Sequence, residues 1–204
     1  GAYKADPEGL ANAGAAYLYR LEANGSASFL SKVTAPDKVP GDEFGLGVSL
    51  FGNTLAIGAI EADPEGVSGA GALYLYRIEA NGSVSFLSKV TAQDKAEEDK
   101  FGHSVSQSGD ILAVGAWSAN QGSLSNAGAA YLFRLESNGT ASFLTKITAP
   151  DKATEDHFGF SVSQSGNILA VGARNADVSG ISDAGAAYIF RLESNGTASF
   201  LTKI

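Results

Sequence analysis

The dominant feature of the sequence is an internal repeat of 57 residues. A Gly-Ala pair recurs at this spacing without insertion or deletion, and Phe-Gly and Asn-Gly pairs recur with the same period. The Gly-Ala pairs begin at Gly1, Gly58, Gly115 and Gly172. The 204 residues therefore hold three whole units and the first 33 residues of a fourth. Segments 127–147 and 184–204 differ only at Leu132 against Ile189, which indicates recent duplication.

Each unit has the pattern of four short β-strands. After Phe101 these read FGHSVSQ, ILAVGA, AGAAYLFRLE and TASFLTKIT, and no segment has helical periodicity. An Asn-Gly pair between two apolar runs predicts a hairpin with a type I′ turn, in which both residues have positive φ. These turns are predicted at Asn24-Gly25, Asn81-Gly82, Asn138-Gly139 and Asn195-Gly196. ILAVGA and GAAYLF are apolar at successive positions, which predicts strands covered on both faces.

Such a unit predicts a blade of a β-propeller, an all-β fold of four-stranded antiparallel sheets. We expect one repeat array over 1–204, with blades at about 42–91, 99–148 and 156–204 and a partial blade at 1–34. Ile204 ends a fourth strand, so the C-terminus does not donate the missing inner strands. The expected assembly is three full blades and a half blade, as part of a larger ring or as a ring completed by another chain. Because the first residue is Gly1 and not Met, we expect a processed or excised piece.

Charge and composition exclude several classes of partner. The net charge is −8, with acidic and basic residues interspersed, so no basic patch is expected for nucleic acid or anionic lipid. No apolar run approaches the roughly 18 residues of a membrane span, so membrane insertion is not expected. The absence of Cys excludes disulfides, thiolate metal sites and cysteine nucleophiles.

The Phe-Gly step, the LAVGA strand and the GAAYLF strand together resemble the FG-GAP repeat. Its first signature pair stands at Phe44-Gly45, Phe101-Gly102 and Phe158-Gly159. The resemblance implies a blade of the kind found in the seven-bladed propeller of integrin α subunits and in bacterial secreted or surface proteins. It therefore implies an extracellular or cell-surface location and a role in adhesion.

The chain departs from this family pattern in two ways. The family's proline after Gly-Ala is replaced by Ile60, Trp117 and Arg174. The DxDxDG calcium loop between the first two strands is reduced to tight turns such as Ser108-Gly109-Asp110. A calcium ion needs about six to eight oxygen ligands from a loop that can wrap it. The calcium role is therefore not carried over, and no cofactor is predicted.

Carboxylates in the loop after Gly-Ala are weak candidates for a metal site. Asp6 and Glu8 recur as Asp63 and Glu65, at a spacing that could present oxygens to a hard cation. The third copy lacks these acids, and Asp-Pro-Glu-Gly is an ordinary turn sequence. A turn is the preferred interpretation, and no metal site is predicted. For Asp94 and Asp99, which recur between blades, turn capping or a blade-to-blade hydrogen bond is expected.

The sequence gives little sign of catalysis. The two histidines, His103 and His157, occupy non-equivalent repeat positions, and the many serines stand beside predicted hairpins. A nucleophile system needs a histidine that is oriented by a carboxylate and faces a serine. The chain is therefore predicted not to be an enzyme.

The position after Gly-Ala differs in every copy. It holds Tyr3, Ile60, Trp117 and Arg174, and the following loops also vary. Loops on a rigid scaffold commonly carry binding residues. Tyr3, Trp117 and Arg174 on one face would suit a sugar ring or a protein hot spot. The alternative is that these side chains only cover the ends of the blades.

These observations predict a non-enzymatic binding or adhesion module of an exported or cell-surface protein, which recognises a protein or a glycan through its loops. One alternative is a structural repeat that assembles rings or filaments through its incomplete blade, with a second copy or the rest of a parent chain as partner. A second alternative is a lectin-like carbohydrate binder.

Overall fold

The computed structural model describes all residues 1–204 and contains fourteen β-strands. The strands are β1 (Ala16–Leu21), β2 (Ala27–Val33), β3 (Phe44–Phe51), β4 (Thr54–Ala59), β5 (Ala72–Ile78), β6 (Val84–Val90), β7 (Ser104–Ser108), β8 (Ile111–Ala116), β9 (Ala129–Leu135), β10 (Ala141–Ile147), β11 (Phe158–Ser165), β12 (Ile168–Ala173), β13 (Ala186–Leu192) and β14 (Ala198–Lys203). The only helical segments are two single 3₁₀ turns, Pro7–Gly9 and Pro64–Gly66. No helix has the length and apolar character needed to cross a membrane.

The strands form three four-stranded sheets and one two-stranded sheet. In each complete sheet the strands lie side by side in chain order and pair antiparallel: β3-β4-β5-β6, β7-β8-β9-β10 and β11-β12-β13-β14. Neighbouring sheets contact each other mainly through their first strands, which places these strands on the inner side of the array. The predicted all-β propeller fold of three full blades and a half blade is confirmed, and the sheets do not close a ring.

The two-stranded sheet β1-β2 is the outer half of a blade. Its strands correspond to the third and fourth strands of the complete sheets, and they pair in the same antiparallel way. One bridge between Ala2 and Ala15 continues the pairing where a second strand would end. The rest of the inner edge of β1 has no partner strand.

The hydrophobic core lies between neighbouring sheets. One cluster combines Leu73 and Leu75 of β5 with Leu112 and Val114 of β8, all fully buried. The phenylalanine of each Phe-Gly step is also fully buried and packs edge-on against a tyrosine of the third strand. Burying an aromatic or branched side chain stabilises the fold by about 1.5–3 kcal/mol. Burial between neighbouring sheets therefore contributes to the stability of each blade.

Glycine permits close approach of the backbones at each junction between blades. A Cβ on Gly58 would overlap the carbonyl oxygen of Gly102, and Gly115 stands in the same relation to Gly159. Gly172 occupies the same repeat position but no following blade covers it, so its Cβ would meet only the Ser161 hydroxyl. The Gly-Ala pair of one blade thus packs against the Phe-Gly pair of the next blade.

The Asn-Gly hairpins are present, but the predicted type I′ turn is wrong. Gly139 has φ of 87°, whereas its neighbour Asn138 is not among the residues with positive φ. The amide of Gly139 donates to the Glu136 carbonyl, and the amide of Glu136 donates to the Thr140 carbonyl. Three residues, not two, therefore connect the strands, in a type I turn followed by a left-handed glycine. The Asn138 side chain accepts from the Thr140 amide at 3.0 Å and from its hydroxyl at 2.7 Å.

Candidate recognition site

Three repeat positions at one end of the blades differ in every copy. The second strand ends where the first begins, because the two are antiparallel, so all three positions lie at the same end of the inner hairpins. We call them the variable rim: Glu43, Lys100 and His157 before Phe-Gly, Leu46, His103 and Phe160 after it, and Tyr3, Ile60, Trp117 and Arg174 after Gly-Ala. The scaffold is constant here and only the presented side chains change.

A repeated hydrogen-bond network joins each connection between blades to the blade that follows it. Asp94, in the connection between two blades, accepts from the Tyr131 hydroxyl at 2.9 Å and from Lys146 Nζ at 2.7 Å. Burial would raise the pKa of Asp94, but the hydrogen bonds from Lys146 and Tyr131 outweigh it and hold that pKa below its ordinary value. This aspartate therefore ties the connection to the following blade. Asp99 caps a turn instead: its carboxylate accepts a hydrogen bond from the Ala96 amide at 2.8 Å.

The rim is densest at the junction between the blades at 99–148 and 156–204. Five residues form a contiguous group that we call the rim cluster: His103, Trp117, His157, Phe160 and Arg174. Ring centroids are 4.7 Å apart for Trp117 and His157, and 4.6 Å apart for His103 and Phe160. The Arg174 guanidinium lies 4.6 Å from the centre of the Phe160 ring. Stacking of this kind stabilises a cation on an aromatic face while its outer N–H groups stay in solvent.

Hydrogen bonding assigns roles to the two imidazoles. His103 Nδ1 lies 3.1 Å from the Phe160 carbonyl oxygen, so Nδ1 donates and Nε2 is left as an acceptor in the neutral ring. Burial, together with the nearby Arg174 charge, lowers the pKa of His103. His157 Nε2 donates to Glu155 Oε2 at 3.2 Å. Burial therefore favours the neutral form of His103. The hydrogen bond to Glu155 fixes the orientation of the His157 ring.

Two buried polar atoms of the rim cluster have no partner. They are Trp117 Nε1, a donor, and His157 Nδ1, which is an acceptor in the neutral ring. An unsatisfied buried polar group costs about 1–3 kcal/mol. Both atoms lie inside the cluster and not on its exposed surface.

The three predicted binding residues have different surroundings. Arg174 is exposed and joins Trp117 through Phe160, whose ring centroid lies 6.2 Å from that of the indole. Trp117 is half-buried. Tyr3 is outside the cluster and carries Lys4 Nζ 5.4 Å from its ring centre. Sequence reasoning missed His157 as a member, although its position varies between copies as strongly as that of Trp117.

The carboxylates considered for metal binding brace their own loops. Asp6 and Asp63 each accept a hydrogen bond from the backbone amide six residues later, at 2.7 and 2.8 Å. Asn120 makes the same bond at 2.9 Å in the copy that lacks the acid. Glu8 and Glu65 form ion pairs with lysines, Lys38 at 3.4 Å and Lys95 at 3.2 Å. No group of three or more metal-ligating side chains is found.

Two solved structures resemble the chain in fold. One is a protein from Lactobacillus plantarum, with a TM-score of 0.58 and 16% identity, over 93% of this chain and 51% of that one. The other is the periplasmic gluconolactonase of Pseudomonas aeruginosa, with a TM-score of 0.60 and 17% identity, over 98% of this chain and 52% of that one. The chain thus spans about half the length of both structures. A search among curated proteins finds no match.

The gluconolactonase corrects one prediction from the sequence. The chain was predicted not to be an enzyme because it has two histidines in non-equivalent positions and no cysteine. A protein with this fold is an enzyme, so that prediction is wrong. The scarcity of histidine and cysteine is no ground for excluding catalysis on such a scaffold, because loops rather than the fold carry the chemistry.

The family assignment rests on the repeats themselves. The model of the FG-GAP repeat matches residues 28–76, 84–133 and 142–190, which together are more than half of the chain. Each match begins in the outermost strand of one blade and ends in the third strand of the next. One family unit therefore spans a junction between blades. The chain belongs to the FG-GAP repeat family.

Proposed function

We propose that the chain is a recognition module that binds its partner through the variable rim. The observation that carries this proposal is the contrast within the repeat. The Phe-Gly, Gly-Ala and Asn-Gly pairs that build the blades and their junctions recur in each copy, whereas the rim positions differ in all of them. The rim cluster then brings five of these variable side chains into contact.

The chemistry of the rim cluster favours a saccharide as ligand. Aromatic rings offer flat apolar faces, and Arg174 offers free N–H donors on the exposed side of Phe160. A protein hot spot would use the same aromatic and arginine residues, so a protein partner is the alternative ligand.

Two findings support a location outside the cytoplasm. The FG-GAP resemblance implies exported or surface proteins, and one structural neighbour is described as periplasmic. Among the locations outside the cytoplasm, we propose the cell surface or the extracellular space. Adhesion through the rim is the corresponding biological role.

A glycan array tests this proposal directly. The 204-residue chain is expected to bind a subset of saccharides, and Trp117→Ala and Arg174→Gln are expected to remove the signal. Matched controls are Phe51→Ala and Arg191→Gln, which change exposed residues outside the rim. Signal that persists in both rim variants, or an array without any saccharide signal, would contradict saccharide recognition at this site.

A second candidate function is structural self-assembly, favoured by the unpaired inner edge of β1. Unpaired strand edges readily recruit further strands. Light scattering over a range of concentrations tests it. Growth of the mean mass with concentration supports assembly, whereas a constant monomer mass contradicts it.

A further inference from the structure

The four Asn-Gly hairpins share one further feature. A serine or a threonine stands two residues after each asparagine, so all four turns match Asn-x-Ser/Thr, the acceptor pattern for N-linked oligosaccharides. The asparagines are Asn24, Asn81, Asn138 and Asn195, and the hydroxyl residues are Ser26, Ser83, Thr140 and Thr197. No other asparagine of the chain has a serine or threonine at that distance. The pattern is therefore confined to one structural element of the repeat.

Each turn presents the side-chain nitrogen of its asparagine to solvent. All four asparagines are exposed. In every turn, Oδ1 accepts from the hydroxyl two residues later at 2.7 Å, and it also accepts from the backbone amide of that residue. The asparagine Nδ2 makes no hydrogen bond to the protein. The nitrogen that an oligosaccharide would join is thus free, while Oδ1 is fixed.

The geometry of the turn does not require the hydroxyl group. The backbone bonds that close the hairpin join Glu136 to Thr140 and Gly139 to Glu136. The amide of any residue except proline could donate to Asn138 Oδ1 in the same way. The position of Thr140 nevertheless holds only threonine or serine in the four copies, whereas the residue before the asparagine changes between alanine and serine. The turns therefore retain the side chains that the acceptor pattern needs.

The hairpins lie at the end of the blades opposite the variable rim. The second strand of each complete blade ends at the rim, so the antiparallel third strand begins there and ends at the far side. Trp117 directly follows the second strand β8, whereas Asn138 follows the third strand β9. An oligosaccharide on Asn138 would therefore be attached away from the rim cluster and would leave it open.

We propose that the four hairpin asparagines are acceptors for N-linked oligosaccharides. The donor is an oligosaccharide joined to a polyprenyl pyrophosphate, and a transferase catalyses the reaction. The asparagine Nδ2 forms a bond to the anomeric carbon of the first sugar, and the bond from that carbon to the pyrophosphate oxygen breaks. Nδ2 loses one proton, and the polyprenyl pyrophosphate leaves. This inference does not depend on ligand recognition at the rim.

Transfer in vitro tests the proposal. The folded 204-residue chain is incubated with a purified N-oligosaccharyltransferase and a polyprenyl pyrophosphate that carries a disaccharide of N-acetylglucosamine. We expect the intact mass to rise by up to four disaccharides, and peptide mapping should place them on the hairpin asparagines. Asn53 is an internal control, because it is exposed in the turn between β3 and β4, at the same end of the blades, but is followed two residues later by Leu55. It should remain unmodified.

Two substitutions at one hairpin separate the hydroxyl group from the turn. Thr140→Ala keeps the amide that donates to Asn138 Oδ1 but removes the hydroxyl, so transfer to Asn138 should be lost. Thr140→Ser is the matched control and should retain it. Thr140 is exposed, and continued transfer to the other three hairpins shows that each variant is still a substrate. No transfer to the folded chain, equal modification of Asn53, or undiminished transfer to Asn138 in Thr140→Ala would overturn the proposal.

Discussion

The Tyr131 hydroxyl donates to Asp94 Oδ1 over 2.9 Å, from the third strand of one blade to the segment that precedes it. The same contact recurs at 2.7 Å between Tyr188 and Asp151. In both copies a lysine completes the network, Lys146 or Lys203. Burial and the hydrogen bond to Asp151 raise the pKa of Tyr188 to about 12. The tyrosine therefore remains a neutral donor over the physiological range.

Replacing Asp94 tests this network. Asp94→Ala leaves the buried Tyr131 hydroxyl without a partner, so we expect a loss of about 1–3 kcal/mol in the free energy of unfolding. Asp110→Ala removes only the long contact of 3.6 Å to Arg134 and should cost at most about 1 kcal/mol. Urea denaturation measures both variants. Equal midpoints would show that the contact between Asp94 and Tyr131 does not stabilise the junction.

Glycine substitutions test the close approach of blades. Gly58→Ala forces a methyl group into the backbone of Gly102, so we expect a loss of about 3 kcal/mol or more. Gly172→Ala is the matched control at the same repeat position, where only the Ser161 hydroxyl must rotate. It should cost less than about 1 kcal/mol. Thermal unfolding would contradict this account if both variants melted at the same temperature.

Protonation of His103 should destabilise the fold. Burial and the Arg174 charge hold its pKa below the ordinary value of 6.5, so the unfolded state takes up the proton first as the pH falls. Its contribution to stability is complete above pH 6.5 and is lost as the pH falls below this value. The melting temperature should therefore drop between pH 7 and pH 5. His103→Phe, which installs the residue found at Phe160, should make that drop smaller, and an unchanged pH profile would contradict the assignment.

Reversing the charge of Lys100 should destabilise the fold, and reversing the charge of its partner Glu61 should partly restore stability. Lys100 Nζ lies 2.6 Å from Glu61 and 2.5 Å from Glu98, at the junction before the rim cluster. Lys100→Glu collects three carboxylates and should cost about 2 kcal/mol or more. Adding Glu61→Lys restores an opposite charge and should recover part of this loss. A double-mutant cycle without coupling would show that the pair contributes nothing to the junction.

Much of the fold was predictable because the repeat period and the Phe-Gly and Gly-Ala pairs are written in the chain. The predicted turn type failed because Asn-Gly is compatible with both two-residue and three-residue hairpins. Only pairing of Glu136 with Thr140 distinguishes them. The residue types at the turn do not determine which residues of the two strands pair beside it.

The rim cluster was only partly predictable. The variation at Trp117 and Arg174 is visible in the sequence, but their contact through Phe160 depends on how successive blades dock. His157 was considered only as a catalyst, because nothing in the sequence shows that its ring packs against an indole one blade earlier.

The central claim is that the variable rim recognises a ligand, and quantitative binding of a saccharide selected on the array tests it most directly. By calorimetry, Trp117→Ala and Arg174→Gln should each weaken the affinity by about tenfold or more, as expected of hot-spot residues. Phe51→Ala and Arg191→Gln should stay within about twofold of the unmodified chain, because exposed residues outside a binding site contribute little. Rim variants that bind as tightly as the unmodified chain would contradict the claim.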